Sequence, residues 1–450
     1  MCKENKLKES NLTSHQQEIF NSLVPEINGI VSAGGQWDNV VSLIGAAGVG
    51  KTFMTVKIIK SLLDSNKKIM FTTPTHKALK VARDMMEQED IDIDCSTIHS
   101  FLNLKLKPNF DNGLQELIAE EFSKNKKRCD VLIVDESSMV SAELFEHIQS
   151  AIRFRRAKCV LFVGDSFQLP PVDGDINPVY EMKSQYELLE IVRQAKDNPI
   201  IKLATEIRER IENEDFIPLQ DLVLPHECEF ISVMKDGKAF MGDYFSPDGD
   251  KKWYEKDCII SAYTNNTVDQ YNRAVRKKYW KDQGVIEDLE YLRVGDTVIF
   301  QEPHIVDETV VHANNDIVEL ESAEKMLDDE NYCWYWECKD EDGDSFKVID
   351  PISRRKFDEH LKKISHMASM AKGFEKKNLW QKYFQDKAEY QQIKYAFSST
   401  VHKLQGSTFE TSYIDMREMR KFFDFQEKEF IYRLLYVAVT RASKDIKILM

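Results

Sequence analysis

The sequence predicts an α/β protein with two parallel-sheet domains and a β-rich insertion, and three observations indicate this. Residues 40–63 read as a buried strand, a glycine-rich loop and an amphipathic helix. Residues 257–280 repeat the order of strand, polar turn and helix, and residues 396–450 return to it. Residues 291–395 instead alternate apolar and polar side chains in strand fashion before a charged helical stretch, which predicts a small β-barrel with a helical extension.

The composition is that of a globular protein with several domains. The 450 residues are 42% hydrophobic and 30% charged, and a chain of this length accommodates about two to four domains. No apolar run is long enough to span a membrane, and the polar N-terminus lacks the apolar core of a signal peptide. We therefore expect a cytoplasmic protein with no membrane partner.

Charge and cysteine usage narrow the class of protein further. The net charge of −15 argues against a large basic surface for nucleic acid, although a narrow basic channel remains compatible with it. The eight cysteines are scattered and form no C-x-x-C pair. This pattern predicts reduced structural thiols rather than disulfides or a zinc site.

The most specific motif is GAAGVGKT at residues 45–52, which matches G-x-x-x-x-G-K-[ST]. A phosphate-binding loop requires a strand before it and a helix after it, and the motif has both. An ordinary glycine turn requires neither. Lys51 would reach the terminal phosphates and the Thr52 hydroxyl would bind Mg²⁺. The predicted nucleotide contacts in this loop are Gly45, Ala46, Gly48, Val49, Gly50, Lys51 and Thr52.

Two later strands end in side chains suited to triphosphate hydrolysis. The apolar run before Asp135 and Glu136 predicts a buried strand, and in a phosphate-loop protein such a pair holds Mg²⁺ and accepts a proton from water. A strand-end aspartate that only caps the next helix is the alternative. Gln168 follows the next buried strand, where a sensor of the γ-phosphate would lie.

Other stretches are less specific. Residues 73–80 and 95–101 place hydroxyls and histidines just beyond strands, where they could contact phosphates and sugars, but ordinary helix capping explains each one singly. Residues 102–128 alternate strictly and then supply turn residues, which predicts a projecting hairpin. Gln16 could read an adenine edge or simply be a solvated helix residue.

Taken in order, these motifs resemble those of superfamily 1 helicases, in the 5′-to-3′ branch with RecD and the Dda-like helicases of bacteriophages. The similarity covers nearly the whole chain and is weak in residues 102–128 and 320–395. The motifs that carry it are residues 45–52, 73–78, 96–100, 134–137, 164–172, 401–406 and 436–441.

The resemblance implies a domain organisation. Residues 1–195 would form a RecA-like domain with a phosphate loop, and residues 102–128 would be a pin inserted in it. Residues 196–290 and 396–450 would form a second RecA-like domain. The predicted β-barrel between them would be SH3-like.

The resemblance also implies roles for individual residues. In the nucleotide site, Gln16 would select adenine, and Gly406 would approach the nucleotide by its backbone. Lys51 and Thr52 would hold phosphate and Mg²⁺, and Asp135 would bind Mg²⁺. Glu136 would be the general base, Gln168 would sense the γ-phosphate, and Arg193 and Arg441 would be arginine clamps. The residues implied to line a single-strand channel are Pro74, Thr75, His76, Thr97, His99, Tyr263, Thr264, His402 and Lys403. Phe110 and Leu114 are the candidates for the tip of the pin.

The function that the resemblance implies is that of an ATP- and Mg²⁺-dependent DNA helicase moving 5′ to 3′ on single-stranded DNA, in phage replication or recombination. We expect a monomer in the host cytoplasm that binds single strands and junctions, with a single-strand-binding protein or replisome components as further partners. A translocase that displaces bound proteins with little unwinding is one alternative. A phosphate-loop NTPase without a nucleic-acid role is another, against which the late pairs His402-Lys403 and Thr440-Arg441 argue.

Overall fold

A computed structural model describes the following residues: 12–34, 39–119, 127–171, 177–191, 198–285, 289–306, 309–328, 333–425 and 427–450. The chain divides into two compact units. The first contains residues 1–103, 121–265 and 399–450, and the second contains residues 104–120 and 266–398. Among the described residues, no helix is both long enough and apolar enough to cross a membrane.

The N-terminal part of the first unit alternates helices and strands. Its elements are α1 (Ser14–Ser32), β1 (Val40–Gly45), α2 (Lys51–Asp64), β2 (Ile69–Thr73), α3 (His76–Gln88), β3 (Asp94–Thr97) and α4 (Ile98–Leu102). The next two strands, β4 (Leu104–Asn109) and β5 (Leu114–Ala119), belong to the second unit. The first unit resumes with β6 (Val131–Val134), α5 (Ala142–Arg153), β7 (Cys159–Gly164) and β8 (Gln185–Leu188).

These strands form a six-stranded sheet with the order β3-β2-β6-β7-β1-β8, in which every neighbouring pair is parallel. Strands β2, β6 and β7 are buried along their whole length, as apolar runs covered on both faces of a parallel sheet are. In such a sheet the loops at the carboxyl ends of the strands meet along one edge, and ligands bind there.

Helix α1 begins where its capping residues predict. The Thr13 side chain accepts a hydrogen bond from the Gln16 amide, and the Gln16 side chain accepts one from the Thr13 amide, which makes a capping box. The apolar face of the helix, which carries Ile19, Leu23 and Val24, is buried in the core beside the sheet. The helix thereby fixes Gln16 against residues 45–52, which we call the phosphate-type loop.

The chain continues through α6 (Pro199–Glu212), α7 (Leu219–Val223), β9 (Ile231–Met234), α8 (Gly237–Tyr244), β10 (Cys258–Ala262) and α9 (Asn265–Asp282). The second unit then carries β11 (Thr297–Phe300), β12 (His304–Val306), β13 (Thr309–His312), β14 (Ile317–Asp328), β15 (Cys333–Asp340), β16 (Ser345–Ile349), α10 (Pro351–Met370), α11 (Gly373–Glu389) and β17 (Ile393–Tyr395). The last elements are β18 (Ser398–Thr400), β19 (Phe409–Asp415), α12 (Arg417–Phe422), α13 (Lys428–Val439) and β20 (Ala442–Leu449).

A second sheet completes the first unit, with the strand order β18-β10-β19-β20-β9. The pairings β10–β19, β19–β20 and β20–β9 are parallel. Helix α13 packs across this sheet, and residues 434–439 of that helix are all buried. The two parallel sheets have separate apolar clusters, as two α/β domains would require, whereas the boundaries drawn at residues 195, 290 and 395 stay predictions.

The second unit is built on an antiparallel sheet with the order β16-β15-β14-β11-β17. Its core surrounds Trp336, whose indole N–H donates to Asp350 Oδ2 at 2.8 Å. The alternation predicted for these strands is present in β15, where buried and more exposed side chains alternate. The charged stretch after it is two helices rather than one, because the chain turns at Gly373, where φ is +58°.

Candidate functional site

The loop after β1 has the backbone of an anion-binding turn. Gly48 and Gly50 both have φ of +82°, a left-handed conformation that side chains with a Cβ rarely adopt. A Cβ on Gly45 would lie 2.7 Å from Val49 Cγ2 and 3.0 Å from the Leu188 carbonyl. Helix α2 starts directly after Gly50, so its free amides and positive dipole end face the inside of the loop.

The Lys51 side chain folds back over this loop. Its ammonium donates to the carbonyls of Gly45 at 2.5 Å and Ala46 at 2.9 Å. The same nitrogen lies 3.7 Å from Asp165 Oδ2. The next residue, Thr52, is exposed. The loop therefore places a cation and an accessible hydroxyl at the carboxyl edge of the sheet.

The predicted acidic pair lies at the end of β6. Asp135 is half-buried, and burial together with the neighbouring Glu136 carboxylate raises its pKa, while Lys51 opposes that rise. Glu136 has φ of +51°, an uncommon conformation for a residue with a side chain. Strained backbone of this kind is concentrated at functional sites, because the surrounding structure must hold it in place.

The end of β7 lies close to this acidic pair. A Cβ on Gly164 would meet Ser137 Oγ at 2.2 Å and Tyr180 Oη at 3.0 Å, so only glycine fits there without displacement. Asp165 follows and is almost fully buried; it accepts a hydrogen bond from the Phe167 amide at 3.0 Å. The close packing brings the segment that carries Gln168 next to the segment that carries Glu136.

Gln168 is buried, and its Oε1 has no hydrogen-bond partner among the described residues. Its backbone carbonyl accepts a hydrogen bond of 3.2 Å from Arg433 Nη1, which also donates to the carbonyl of Ser166. The Leu169 carbonyl accepts one from Gln405 Nε2 at 3.2 Å. The segment after β7 is therefore held by Gln405, which lies between β18 and β19 of the second sheet, and by Arg433 of α13.

A tyrosine of α13 reaches the phosphate-type loop. The backbone amide of Ala47 donates to the Tyr436 hydroxyl at 2.9 Å, and that hydroxyl donates to Asp165 Oδ2 at 2.7 Å. Burial is the first cause that raises the pKa of this phenol well above its ordinary value, and Asp165 is the second. Three separate segments of the chain thus meet at one neutral hydroxyl.

Arg441, just beyond α13, is buried and fully hydrogen-bonded. Its guanidinium donates to the carbonyls of Val437 at 3.0 Å and Ser407 at 3.0 Å and to Thr440 Oγ1 at 3.0 Å. Burial lowers the pKa of the group, and the charge of Glu136 opposes that effect. Arg441 is therefore within electrostatic reach of the acidic pair.

Gly406 brings the second sheet to the same place. Its φ is +70°, and a Cβ there would lie 3.3 Å from Ala78 Cβ and 3.8 Å from Glu136 Oε1. Gln16 lies on the other side of the loop, where its Nε2 donates to the Val49 carbonyl at 2.9 Å. Arg193 lies outside the described residues.

The residues predicted to line a strand channel occupy strand ends and helix starts, as expected. Thr75 and Thr97 cap α3 and α4 and accept hydrogen bonds from the amides of Ala78 and Ser100, each at 3.2 Å. Pro74 is half-buried. These hydroxyls are therefore engaged as caps.

Histidines accompany both caps. His76 is exposed and His99 is half-buried. Burial lowers the pKa of His99 first, followed by the nearby His147 and His76. His147, on α5, and His76 therefore act on the His99 pKa in the same direction as burial does.

The remaining predicted channel residues lie in the second half of the first unit. Thr264 Oγ1 donates to Glu418 at 2.9 Å, and the Tyr263 ring packs edge-on against Phe422 with 5.7 Å between centroids. His402 is half-buried, which lowers its pKa, and Lys403 is half-buried beside it.

In the second unit, β4 and β5 form an antiparallel hairpin within the stretch where one was predicted. Phe110 at its tip is half-buried, 6.2 Å from the Phe384 ring of α11. A Cβ on Gly113 would overlap the Trp380 ring, and φ there is +75°. Leu114 is 62% exposed, so of the two candidate tip residues it is the accessible one.

Sequence reasoning did not single out Asp165, Arg433 or Tyr436 as site residues. One pattern could have found two of them, since Arg433, Tyr436 and Thr440 recur at intervals of three and four, which places them on one face of a helix. Arg441 comes directly after that face. A helix that delivers an arginine to a site also presents its neighbouring turns there.

Comparisons with known proteins bear on the whole chain. Residues 32–174 match the family described as an AAA domain, and residues 395–448 match the UvrD-like helicase C-terminal domain. The ATP-dependent DNA helicase dda of Enterobacteria phage T4 is 27% identical, over 97% of this chain and 98% of that protein. Uncharacterized protein R530 of Acanthamoeba polyphaga mimivirus is 23% identical, over 90% of this chain and 94% of that protein.

Two further relatives extend the comparison. The RecBCD enzyme subunit RecD of Buchnera aphidicola subsp. Acyrthosiphon pisum is 26% identical, over 65% of this chain and 52% of that subunit. Among solved structures, the Pif1 helicase from Candida albicans has a TM-score of 0.45 at 17% identity, over 98% of this chain and 95% of that one, a score too low to carry a conclusion. The relatives found by sequence confirm the resemblance that the ordered motifs predicted.

Proposed function

We propose that this chain, a member of the superfamily 1 helicases in the branch of RecD and Dda, is an ATP-dependent DNA helicase. It moves 5′ to 3′ along single-stranded DNA and opens duplex DNA at a junction. The observation that carries the proposal is the meeting of the phosphate-type loop, the segment after β7 and helix α13 at the Tyr436 hydroxyl. A motor needs such a connection, because hydrolysis at one sheet must move the other.

ATP would bind at the loop after β1. The free amides at the start of α2 and the Lys51 ammonium would hold its phosphates, and Gln16, anchored to the Val49 carbonyl, would contact the base. In this structure the Lys51 ammonium donates hydrogen bonds to the carbonyls of Gly45 and Ala46. Those contacts must give way when a phosphate arrives, so binding would reorder this loop.

The donor set beside the loop fits Mg²⁺, which prefers oxygen ligands. Thr52 offers an exposed hydroxyl and Asp135 a half-buried carboxylate. Bound there, the ion would neutralise charge on the phosphates. Glu136 would accept the proton of the attacking water, and Gln168, whose Oε1 has no partner within the described residues, would orient that water.

Arg441 would stabilise the negative charge that develops on the γ-phosphate, a role worth ~10³–10⁵ in rate in related phosphoryl transfers. Its hydrogen bonds to the Val437 and Ser407 carbonyls orient the group, and the charges of Glu136 and Asp165 oppose the lowering of its pKa by burial. Arg193 is proposed as a second clamp on the resemblance alone.

The single strand would run across the carboxyl edges of the two parallel sheets. Two helix starts there, at Thr75 and Thr97, present free amides to phosphate groups, and the histidines beside them supply donors. Pro74, His76, His99, Tyr263, Thr264, His402 and Lys403 complete the proposed channel. Such contacts position a strand without reading its sequence, so sequence-independent binding follows.

Duplex opening would take place at the β4–β5 hairpin, which we propose as the pin. The packing of Gly113 on Trp380 and of Phe110 beside Phe384 braces the tip against α11. We propose that the sheet formed by β11, β14–β17 is the SH3-like part of this insertion. The enzyme would act as a monomer on single strands and junctions, with a single-strand-binding protein or replisome components as further partners.

The packing of the hairpin tip favours testing a second candidate function, that of a translocase that unwinds little duplex DNA. Phe110 is packed beside Phe384 rather than fully exposed, so of the two candidate tip residues Leu114 is the one more accessible to a base pair. A strand-displacing motor would remove a bound protein from single-stranded DNA at full rate while duplex opening stays slow.

The decisive experiment compares two duplexes of the same sequence, one with a 5′ single-stranded tail and one with a 3′ tail, in the presence of ATP and Mg²⁺. Opening of the 5′-tailed duplex alone supports the proposal. Opening of the 3′-tailed duplex alone would reverse the polarity. If neither opens, displacement of streptavidin from biotinylated single strands identifies a translocase, and ATP hydrolysis unaffected by single strands identifies an NTPase with no nucleic-acid role. Glu136→Gln serves as the inactive control.

A further inference from the structure

A cluster of metal-binding side chains lies in the second unit, among residues that the proposed function does not use. His312, Asp340 and Asp344 each offer a ligand atom, and these atoms all lie within 4.8 Å of one another. His312 and Asp340 are almost fully buried, whereas Asp344 is not. Among the described residues it is the one group of three or more histidine, cysteine or acidic side chains with this spacing.

The local fold brings these residues together from three strands. His312 ends β13, where it pairs with His304 of β12 across a β-bulge. Asp340 ends β15, and its carbonyl and amide close the turn that leads to Asp344 and β16. Asp340 Oδ1 accepts hydrogen bonds from the backbone amides of Asp342 at 3.1 Å and Asp344 at 2.8 Å. The turn therefore fixes the carboxylate and leaves Oδ2 free to face His312.

The contact between these two side chains is short but is not a hydrogen bond. His312 Nε2 lies 3.0 Å from Asp340 Oδ2. Both atoms are nevertheless buried without a hydrogen-bond partner among the described residues. The two atoms are close together and buried, yet they are not aligned for a hydrogen bond with each other. This arrangement is expected when both atoms are ligands of a third atom. A buried group left unsatisfied is otherwise rare, because its desolvation is uncompensated.

A second pair in the same unit shows what an ordinary histidine–aspartate contact looks like. His360 Nε2 of α10 lies 2.8 Å from Asp386 Oδ2 of α11 and is hydrogen-bonded to it. Within the described part of the chain, neither residue belongs to a group of three side chains spaced as metal ligands. The difference between the two pairs is geometric, since the residue types are the same.

The surroundings of His312 are those of a metal ligand. Phe300 stacks on its ring with 4.4 Å between centroids, and Phe346 lies edge-on at 6.0 Å. His304 stacks 5.6 Å away, and its Nδ1 is also buried without a partner in the described part of the chain. Apolar walls exclude water from a site, hold the imidazole in one orientation and strengthen its bond to a cation.

We propose that His312, Asp340 and Asp344 bind one divalent transition-metal ion, of which Zn²⁺ is the best match. One imidazole and two carboxylates form a mixed nitrogen and oxygen set, which suits Zn²⁺ better than the all-oxygen sets of Mg²⁺ or Ca²⁺. The ion would fasten the β12–β13 hairpin to the turn between β15 and β16. Its role is structural, because its ligands join two segments of the second unit.

The test is the metal content and Zn²⁺ affinity of the full chain, purified without an affinity tag and titrated in excess Mg²⁺. We expect close to one Zn²⁺ per chain, and Co²⁺ bound in its place should show the absorption of nitrogen and oxygen ligands without thiolate bands. Asp344→Asn should weaken binding at least about tenfold, since loss of a ligand does at least as much as loss of a supporting contact. The backbone bonds that close its turn survive this change.

Asp340→Asn should abolish binding, and His360→Asn should leave both stoichiometry and affinity unchanged. Zn²⁺ should raise the melting temperature of the wild type and of His360→Asn but not that of Asp340→Asn. Absence of bound Zn²⁺ in the wild type would overturn the proposal. So would equal affinity in the wild type and Asp344→Asn, because that variant retains the fold and loses only the ligand.

Discussion

The Tyr436 hydroxyl donates a hydrogen bond of 2.7 Å to the Asp165 carboxylate while it accepts one of 2.9 Å from the Ala47 amide. Asp165 follows β7 of the first sheet, and Tyr436 lies on the helix that ends just before Arg441. Any movement of the phosphate-type loop is therefore transmitted to α13, the helix that precedes Arg441. Tyr436 acts through Asp165 and Ala47, so we regard it as a positioning residue.

Replacing Tyr436 with Phe should remove this connection without changing the packing of the ring. A hydrogen bond to a charged partner contributes about 1.5–3 kcal/mol, so the free energy of unfolding should fall by roughly that amount. Asp165 would also lose its hydroxyl donor, and the loop would lose its tie to α13. We expect reduced stimulation of ATP hydrolysis by single strands, measured as the ratio of rates with and without an oligonucleotide.

The matched control is Tyr432→Phe, one turn earlier in the same helix. The Tyr432 hydroxyl donates to the Ile217 carbonyl at 2.8 Å, away from the loop. This variant loses a hydrogen bond to a neutral carbonyl, so it should lose about 0.5–1.5 kcal/mol of stability and keep its stimulation ratio. An equal loss of stimulation in both variants would mean that the effect comes from general destabilisation of α13.

Lys51→Ala should slow ATP hydrolysis by at least ~10²–10³-fold, the usual effect of removing one donor from a developing negative charge. The substitution also removes the donor that the carbonyls of Gly45 and Ala46 share. Lys60→Ala, on the outer face of the same helix and paired with Glu89 at 2.8 Å, should hydrolyse ATP normally. Near-normal turnover of Lys51→Ala in a steady-state phosphate-release assay would exclude this loop from the active site.

Gly113→Ala should separate duplex opening from ATP hydrolysis. The new Cβ would overlap the Trp380 ring, and φ of +75° is unfavourable for alanine, so the hairpin tip must move away from α11. We expect slower unwinding in a fluorescence strand-separation assay with unchanged single-strand-stimulated hydrolysis. Gly284→Ala introduces a similar strain, at φ of +85°, where a Cβ meets nothing within 4 Å. If Gly284→Ala slows unwinding as much, strain rather than the position of the tip is responsible.

Local patterns predicted the parts of the site that depend on neighbouring residues. The loop at residues 45–52 is specified by its own glycines and by the strand and helix beside it, and the structure has β1 and α2 at those positions. The cap of α1 likewise joins close neighbours, since Thr13 and Gln16 exchange hydrogen bonds. In each case the residues that determine the geometry are close in sequence.

Contacts between distant segments could not be predicted in this way. Tyr436 and Ala47 are separated by most of the chain, and only the packing of α13 on the second sheet brings the phenol to the loop. The pair His312 and Asp340 depends on the register of β13 and on a turn after β15, neither of which a hydrophobic pattern fixes. The roles of Gln168, Arg441 and Gly406 in the nucleotide site stay predictions.

The lowered pKa of His99 predicts how the free energy of unfolding depends on pH. Burial, His147 and His76 all lower the pKa of His99, in that order, so the folded protein favours its neutral form. In the unfolded chain the group takes up a proton near its ordinary value of about 6.5. Between that value and the lower folded-state pKa the unfolded state binds more protons, and the unfolding free energy falls as the pH falls.

The slope from a single histidine cannot exceed about 1.4 kcal/mol per pH unit within that window, and it vanishes below the folded-state pKa. His402 and His304 have pKa values lowered by burial as well, so they contribute in the same direction. His99→Gln isolates the first contribution. Urea unfolding between about pH 8 and pH 5 should show a smaller loss of stability for this variant than for the wild type. Parallel curves for wild type and His99→Gln would mean that His99 titrates alike in the folded and unfolded states.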